Sequence, residues 1–285
     1  MGSTAPGQRL LALALLAASI VALSTGAQPP AAPHLAVAPL RGRVAPGSTG
    51  RPGLHVVALG DSVPAGSGCD CTPFPVRYAR SLATKLGHTA RISIDAVPGL
   101  TSGGLLATLG TGQPAAQDAA SADIVLITIG ANDFDPAHAD PSCPGGTVGC
   151  YDNQLAELSR QLDSILARLA VLRHDAPTAV LLTGYWDIWE DGQVAAGAGA
   201  PYVTTGDELT RQVNQRLQQA ASTGSATYVD LVKPFRGSSG RDDDTGLLAG
   251  DGDHPNDAGH QAIAGALLEA TPVAATRPRT KTPGG

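Results

Sequence analysis

The sequence predicts an α/β fold, a parallel β-sheet with helices on both faces. Three observations carry that expectation. Short apolar runs alternate with amphipathic stretches from residue 54 onward. The run at 124–129 is apolar almost throughout, as in a strand buried on both faces. Small polar residues and glycines stand directly after several runs, at the strand ends where ligands bind in open α/β sheets.

Each element has its own signal. Residues 55–59, His-Val-Val-Ala-Leu, form a first strand that stops at Gly60. A helical pattern follows over 75–87, and residues 91–97 alternate as a second strand. Residues 124–129 are the third strand. Residues 151–173 form a long amphipathic helix with Leu155, Leu158, Leu162, Ile165, Leu166 and Leu169 on one side, ending before Pro177. Residues 179–183 are a fourth strand, 206–221 a helix and 226–231 a fifth strand. A last helix begins at Pro255 and runs to about Glu269. No internal repeat is visible.

The ends of the chain read differently. Arg9 precedes an apolar run over 10–23 and small residues up to Ala27. That pattern suits a cleaved signal peptide over 1–27 better than a membrane anchor, because the run is short for a bilayer. Residues 28–52 are a Pro/Ala/Gly-rich linker, 53–272 a single catalytic-sized domain and 273–285 a disordered tail. The expected location is extracellular, with a membrane-anchored form as the alternative. A net charge of -6 with no basic cluster in the core argues against a nucleic-acid partner, and none is expected. The three basic residues Arg277, Arg279 and Lys281 belong to the solvated tail.

Export fits the four cysteines, Cys69, Cys71, Cys143 and Cys150, which suggest disulfides with three connectivities open. Cys143 and Cys150 bracket a Pro-Gly-Gly turn and suit a small loop. A Cys69–Cys71 bridge would close a strained ring, so cross-pairing between the two loops stays open. Zinc is a poor reading: the spacing is not that of a finger, and no histidine flanks either pair in sequence. No metal site or cofactor is expected. Asp242, Asp243 and Asp244 read as a solvated turn rather than a calcium site.

The residues after the strands carry the chemistry. Gly60-Asp61-Ser62-Val63-Pro64-Ala65-Gly66 exposes a serine at the sheet edge, either as a nucleophile or as a helix cap. A serine needs a positioned base to attack. Among seven histidines, His254 in Asp251-Gly252-Asp253-His254-Pro255 stands just before a helix, with Asp251 placed to accept from its second ring nitrogen. His260 lies inside that helix, where a solvent-facing role is expected. Asn132 in Gly130-Ala131-Asn132-Asp133 and Gly99 in Val97-Pro98-Gly99-Leu100-Thr101 offer donors for a developing oxyanion. A turn role for Asn132 is the rival.

Together and in this order, these four blocks resemble the SGNH hydrolases, the GDSL-like lipase and esterase family, over roughly residues 54–270. The resemblance implies a three-layer α/β/α sandwich with a five-stranded, flavodoxin-like parallel sheet. It implies Ser62 as nucleophile, His254 as base and Asp251 as the residue that orients the base. The N–H groups of Ser62 and Gly99 and the Asn132 side chain would form the oxyanion hole. The first block reads Ser-Val where the family's namesake has Ser-Leu, and Pro98 restricts the backbone before Gly99.

The expected function is hydrolysis of carboxylic esters, with short to medium acyl chains favoured because no long apolar lid is visible. A carbohydrate O-deacetylase or a phospholipase on the same site is the alternative, and an inactive secreted binding domain the non-enzyme alternative. A two-metal phosphoesterase is disfavoured, because the first strand ends in one Asp and a Ser without a second ligand. Tyr185, Trp186 and Trp189 follow the fourth strand and suit either a substrate pocket or a packing cluster. The expected partner is a small-molecule or lipid ester, with transient lipid-interface contact, and the expected state is a monomer.

Overall fold

Runs of Val, Ile and Leu pair into a sheet because their branched side chains fit a surface buried on both sides. A computed structural model describes residues 53–134, 148–174 and 179–272. The strands are β1 (Gly53–Gly60), β2 (Thr89–Ala96), β3 (Ile124–Thr128), β4 (Ala179–Thr183) and β5 (Thr227–Val229). They run parallel in the order β2-β1-β3-β4-β5. Every residue of β3 is buried, as are Leu54 to Gly60 of β1. β2, at the sheet edge, stays half-buried.

Nine α-helices are described: α1 (Ser62–Ala65), α2 (Phe74–Leu86), α3 (Ser102–Thr108), α4 (Pro114–Ser121), α5 (Asp152–Leu172), α6 (Gly192–Ala198), α7 (Ala200–Thr223), α8 (Val232–Arg236) and α9 (Asp257–Ala270). α2 packs on α9, and α9 on α8, while α5 packs on α3, α4 and α7. These two groups cover the two faces of the sheet, giving the expected three layers. The six apolar residues of the α5 stripe are all buried. Each such side chain contributes roughly 1.5–3 kcal/mol on leaving water. None of the described helices is long and apolar enough to cross a membrane.

The sequence pattern misses α3, α4, α6 and α8. They are short, and Gly- or Ala-rich stretches such as Ser-Gly-Gly at 102–104 carry little periodicity. The helix expected over 206–221 extends to Ala200–Thr223, and the last helix starts at Asp257 rather than Pro255. The expected leader, linker and tail, and Cys143, lie outside the described residues.

The topology fixes where a site can form. The neighbours of β1 are β2 and β3, so the chain direction across the sheet reverses between β1 and β3. A crevice opens at the carboxyl ends of strands flanking such a reversal. The loops carrying Ser62 and Asn132 leave the sheet there.

Candidate active site

Ser62 is placed by a backbone that only glycine tolerates. Gly60 ends β1 at φ +133°, and a Cβ there would sit 1.8 Å from the carbonyl oxygen of Thr128 in β3. The Asp61 N–H donates to that same carbonyl at 3.1 Å. Asp61 then caps α1, its Oδ1 accepting from the Val63 N–H at 3.0 Å. Ser62 is the first residue of α1 and half-exposed.

His254 is held from one side by Asp251. Asp251 Oδ2 lies 2.8 Å from His254 Nδ1, while Oδ1 accepts from the N–H groups of Asp253 and His254 at 3.1 and 3.0 Å. Burial alone pushes the Asp251 carboxyl up. The donated hydrogen bonds outweigh it and leave the group below its ordinary range. An ionised Asp251 fixes the tautomer with the proton on Nδ1, so that Nε2 carries a lone pair. That Nε2 is buried and, among the described residues, has no hydrogen-bond partner, Ser62 included. Gly68, in the loop after α1, packs on the ring's stem: a Cβ there would meet His254 Cβ at 2.5 Å.

Gly99 adopts φ +77° and is exposed. Among the described residues, neither its N–H nor that of Ser62 donates a hydrogen bond. Asn132 sits in a 3₁₀ turn, Ala131–Phe134, directly after β3, and its Nδ2 donates to the Leu100 carbonyl at 3.0 Å. The amide group has a second N–H to offer. Asp133 completes a link that the sequence did not reveal. Its carboxylate accepts from Ser102 N at 2.9 Å and from Ser102 Oγ at 2.6 Å. The loop carrying Gly99 is therefore stitched twice to the turn carrying Asn132.

Ser62, Gly99 and Asn132 border a cavity of about 470 Å³. Tyr185, Trp186 and Trp189 also border it, yet these residues are only 1%, 1% and 9% exposed. The three form a packed cluster, and that cluster is one wall of the cavity. Trp186 stacks on Phe235 at 4.1 Å between centroids, and Trp189 Nε1 donates to the Phe134 carbonyl at 2.8 Å. The Tyr185 hydroxyl donates to Asp61 Oδ2 beneath the serine. Burial raises Asp61 to about 7, against the lowering effect of the Tyr185 and Val63 hydrogen bonds, and burial also raises the Tyr185 hydroxyl.

This buried acid makes stability depend on pH. A carboxyl whose folded value is raised contributes stability at low pH that is lost as pH climbs through that value. Burial likewise raises Asp187 to about 7 and Asp244 to about 8. His260, lowered by burial to about 4, acts with the opposite sign but only below its ordinary 6.5. Three raised carboxyls outweigh one lowered histidine, so the melting temperature is expected to fall from about pH 4, where the unfolded carboxyls ionise, to about pH 8, above the last raised folded value. Asp61→Asn should flatten that fall, and a Tm equally steep in the variant would remove Asp61 as a contributor.

Several expectations need correction. Cys69 and Cys71 are bonded to each other, their Cα atoms 5.2 Å apart, which excludes cross-pairing with the other loop. A tight turn after α1 brings the two side chains together. His260 is not solvent-facing: it is fully buried, and its Nδ1 accepts from the Phe74 N–H at 3.3 Å, because α9 turns that face onto α2. His260 also comes within 4.8 Å of Cys69 and Cys71, a proximity invisible in sequence, although the two sulfurs are committed to each other. Asp244 is not solvated but 2% exposed. It interacts with Asp191, whose Oδ1 meets Arg236 Nη2 at 3.0 Å.

The family model for the GDSL-like Lipase/Acylhydrolase family matches residues 58–262. No curated protein matches the sequence significantly. Among solved structures, a lipase from a goat rumen metagenome is 20% identical, covering 76% of this chain and 97% of its own, with a TM-score of 0.63. An extracellular lipase from Streptomyces rimosus is 20% identical over 76% and 100% of the two chains, with a TM-score of 0.53. An acetyl-xylooligosaccharide esterase variant from Geobacillus is 20% identical over 76% and 93%, with a TM-score of 0.51. At such identities these neighbours speak for the fold. The family match spans most of the chain, and the chain therefore belongs to the GDSL-like Lipase/Acylhydrolase family and is an esterase- or lipase-type hydrolase.

Proposed function

We propose that the protein is an exported serine esterase that hydrolyses carboxylic esters with short to medium acyl chains. The observation that carries this reading is the His254 ring, tethered to Asp251 at Nδ1 and, among the described residues, left with an unpartnered, buried Nε2. In the proposed reaction Nε2 takes the Ser62 hydroxyl proton as Oγ attacks the ester carbonyl. The N–H groups of Ser62 and Gly99 and an Asn132 N–H stabilise the resulting oxyanion. His254 returns the proton to the leaving alcohol, and water then hydrolyses the acyl-serine by the same route. Asp251 orients the ring and stabilises the imidazolium. A cavity of about 470 Å³ suits a compact ester. Export is supported by the apolar run at 10–23 and by the Cys69–Cys71 bridge.

A fluorophosphonate probe tests the reading. Mass spectrometry of the labelled protein is expected to place the adduct on Ser62, and His254→Ala should abolish it. A folded protein that is not labelled would refute the proposal.

The bridged loop bears on the same site. Gly68 lies against His254, and Cys69–Cys71 closes the loop just beyond it. So small a ring contributes only roughly 1–2 kcal/mol by the loop-entropy argument. Cys71→Ser is expected to lower kcat/KM severalfold while moving Tm by only a few degrees. Wild-type kinetics in the variant would separate the loop from the base.

A further inference from the structure

We propose that the cavity beside Ser62 selects esters whose alcohol portion carries a positive charge and disfavours anionic ones. This rests on the esterase reading above. Asp61, Asp187, Glu190 and Asp253 all line the cavity, and among the described residues no Lys, Arg or His does. Two of these four acids are accessible: Glu190 is exposed, and the Asp253 side chain is 47% exposed. Asp61 and Asp187 are buried, and burial raises each of them, and to a lesser degree Asp253, so the exposed Glu190 carries most of the field.

The nearby cations are turned elsewhere. Arg236 approaches Asp187 at 3.7 Å but is engaged by Asp191 at 3.0 Å and Asp207 at 2.5 Å. With Arg211 and Arg241 it lines a separate cleft of about 900 Å³, which contains neither Ser62 nor His254. Positive charge is thus partitioned away from the Ser62 cavity.

The placement of Asp253 says which half of the ester feels the field. His254 hands its proton to the departing alcohol, so the alcohol lies on the His254 side. Asp253 directly precedes His254 and lines the cavity, its Oδ2 3.6 Å from the Nδ1 edge of the ring, which puts its carboxylate at the His254 end of the cavity. A quaternary ammonium needs no hydrogen-bond partner and is attracted by charge alone. A sulfonate or phosphate there would meet the accessible carboxylates of Glu190 and Asp253 with no basic side chain in the described cavity lining to receive it.

Three acetates of matched size test this on the full chain: trimethylammonioethyl acetate, its neutral carbon isostere dimethylbutyl acetate, and sulfoethyl acetate. The expected order of kcat/KM is cation, neutral, anion, with about a tenfold step between the first two. About 1 M salt should shrink the cation-to-neutral ratio by screening. Glu190→Gln combined with Asp253→Asn should bring it towards unity, a change in ratio that a merely structural defect would not produce. Equal turnover of cation and neutral ester, or a preference for the anion, overturns the proposal and leaves the esterase reading standing. If folded protein turns over none of the three, the esterase reading fails instead. Binding of the corresponding alcohols to Ser62→Ala, followed by NMR, then decides the charge preference: tighter binding of the cationic alcohol supports it, and equal or absent binding overturns it.

Discussion

His254→Ala is expected to lower kcat/KM for a small ester by roughly four orders of magnitude, and Ser62→Ala by about as much. The two side chains act as one unit, so the double variant should be no slower than either single one. Without His254 the Ser62 hydroxyl keeps its proton and is a poor nucleophile. Without Ser62 the base has nothing to activate but water. Asp251→Asn should cost less, roughly ten- to a hundredfold, because the backbone loop 251–254 still places the ring while the amide no longer stabilises the imidazolium. Asp251 is also half-exposed, so water replaces part of what it supplies. None of the three changes should move Tm much. Steady-state kinetics with circular dichroism as the folding control checks the set. Additive losses in the double variant would mean that serine and histidine do not cooperate, and the proposed mechanism would fall.

Much of this arrangement was legible in the sequence, and the reasons are physical. β1 and β3 declare themselves because strands buried on both faces need apolar side chains at every position, and α5 because one buried face repeats its leucines at helical spacing. Three of the four site blocks are legible because they come within a few residues of a strand's end, where chain direction is already fixed, and the block carrying His254 because it leads into α9. What was not legible depends on contacts between distant segments. The Tyr185–Asp61 hydrogen bond spans 124 residues, and the Phe74–His260 one spans 186. Nothing local marks either pair. His260 departs from the sequence expectation because a polar residue inside a helix is usually solvated, while α2 covers this one. Asp244 departs from it for the same reason, three consecutive aspartates being a surface pattern that Asp191 and Arg236 here draw inward. The link from Asp191 N–H to the Gly252 carbonyl at 2.8 Å extends this logic: it ties the aromatic wall after β4 to the loop that carries His254.

Two motif glycines offer a sharper test of how the site is built. Both Gly60 and Gly99 have positive φ, so alanine at either position carries a backbone cost of about 1–3 kcal/mol. They differ in space. A Cβ at Gly99 meets nothing within 4 Å, whereas one at Gly60 would lie 1.8 Å from the Thr128 carbonyl oxygen and 2.8 Å from its carbon. Backbone atoms in the middle of a sheet cannot swing aside as a side chain can, so β1 and β3 would have to part at their ends. That breaks the Asp61 N–H to Thr128 hydrogen bond and displaces the start of α1. Overpacking of this kind adds about 1–3 kcal/mol to the backbone term. Gly60→Ala is therefore expected to destabilise the domain by about 4 kcal/mol, a fall in Tm of roughly 8–16 °C for a domain of this size. Protein that still folds should lose more than tenfold in kcat/KM, because Ser62 rides on the displaced turn. Gly99→Ala should cost about 1–2 kcal/mol, with its kinetic effect confined to the oxyanion donor. Thermal denaturation and kinetics on the pair read the difference. If the two alanine variants match in Tm and in rate, the close approach of β1 to β3 is not what positions the serine.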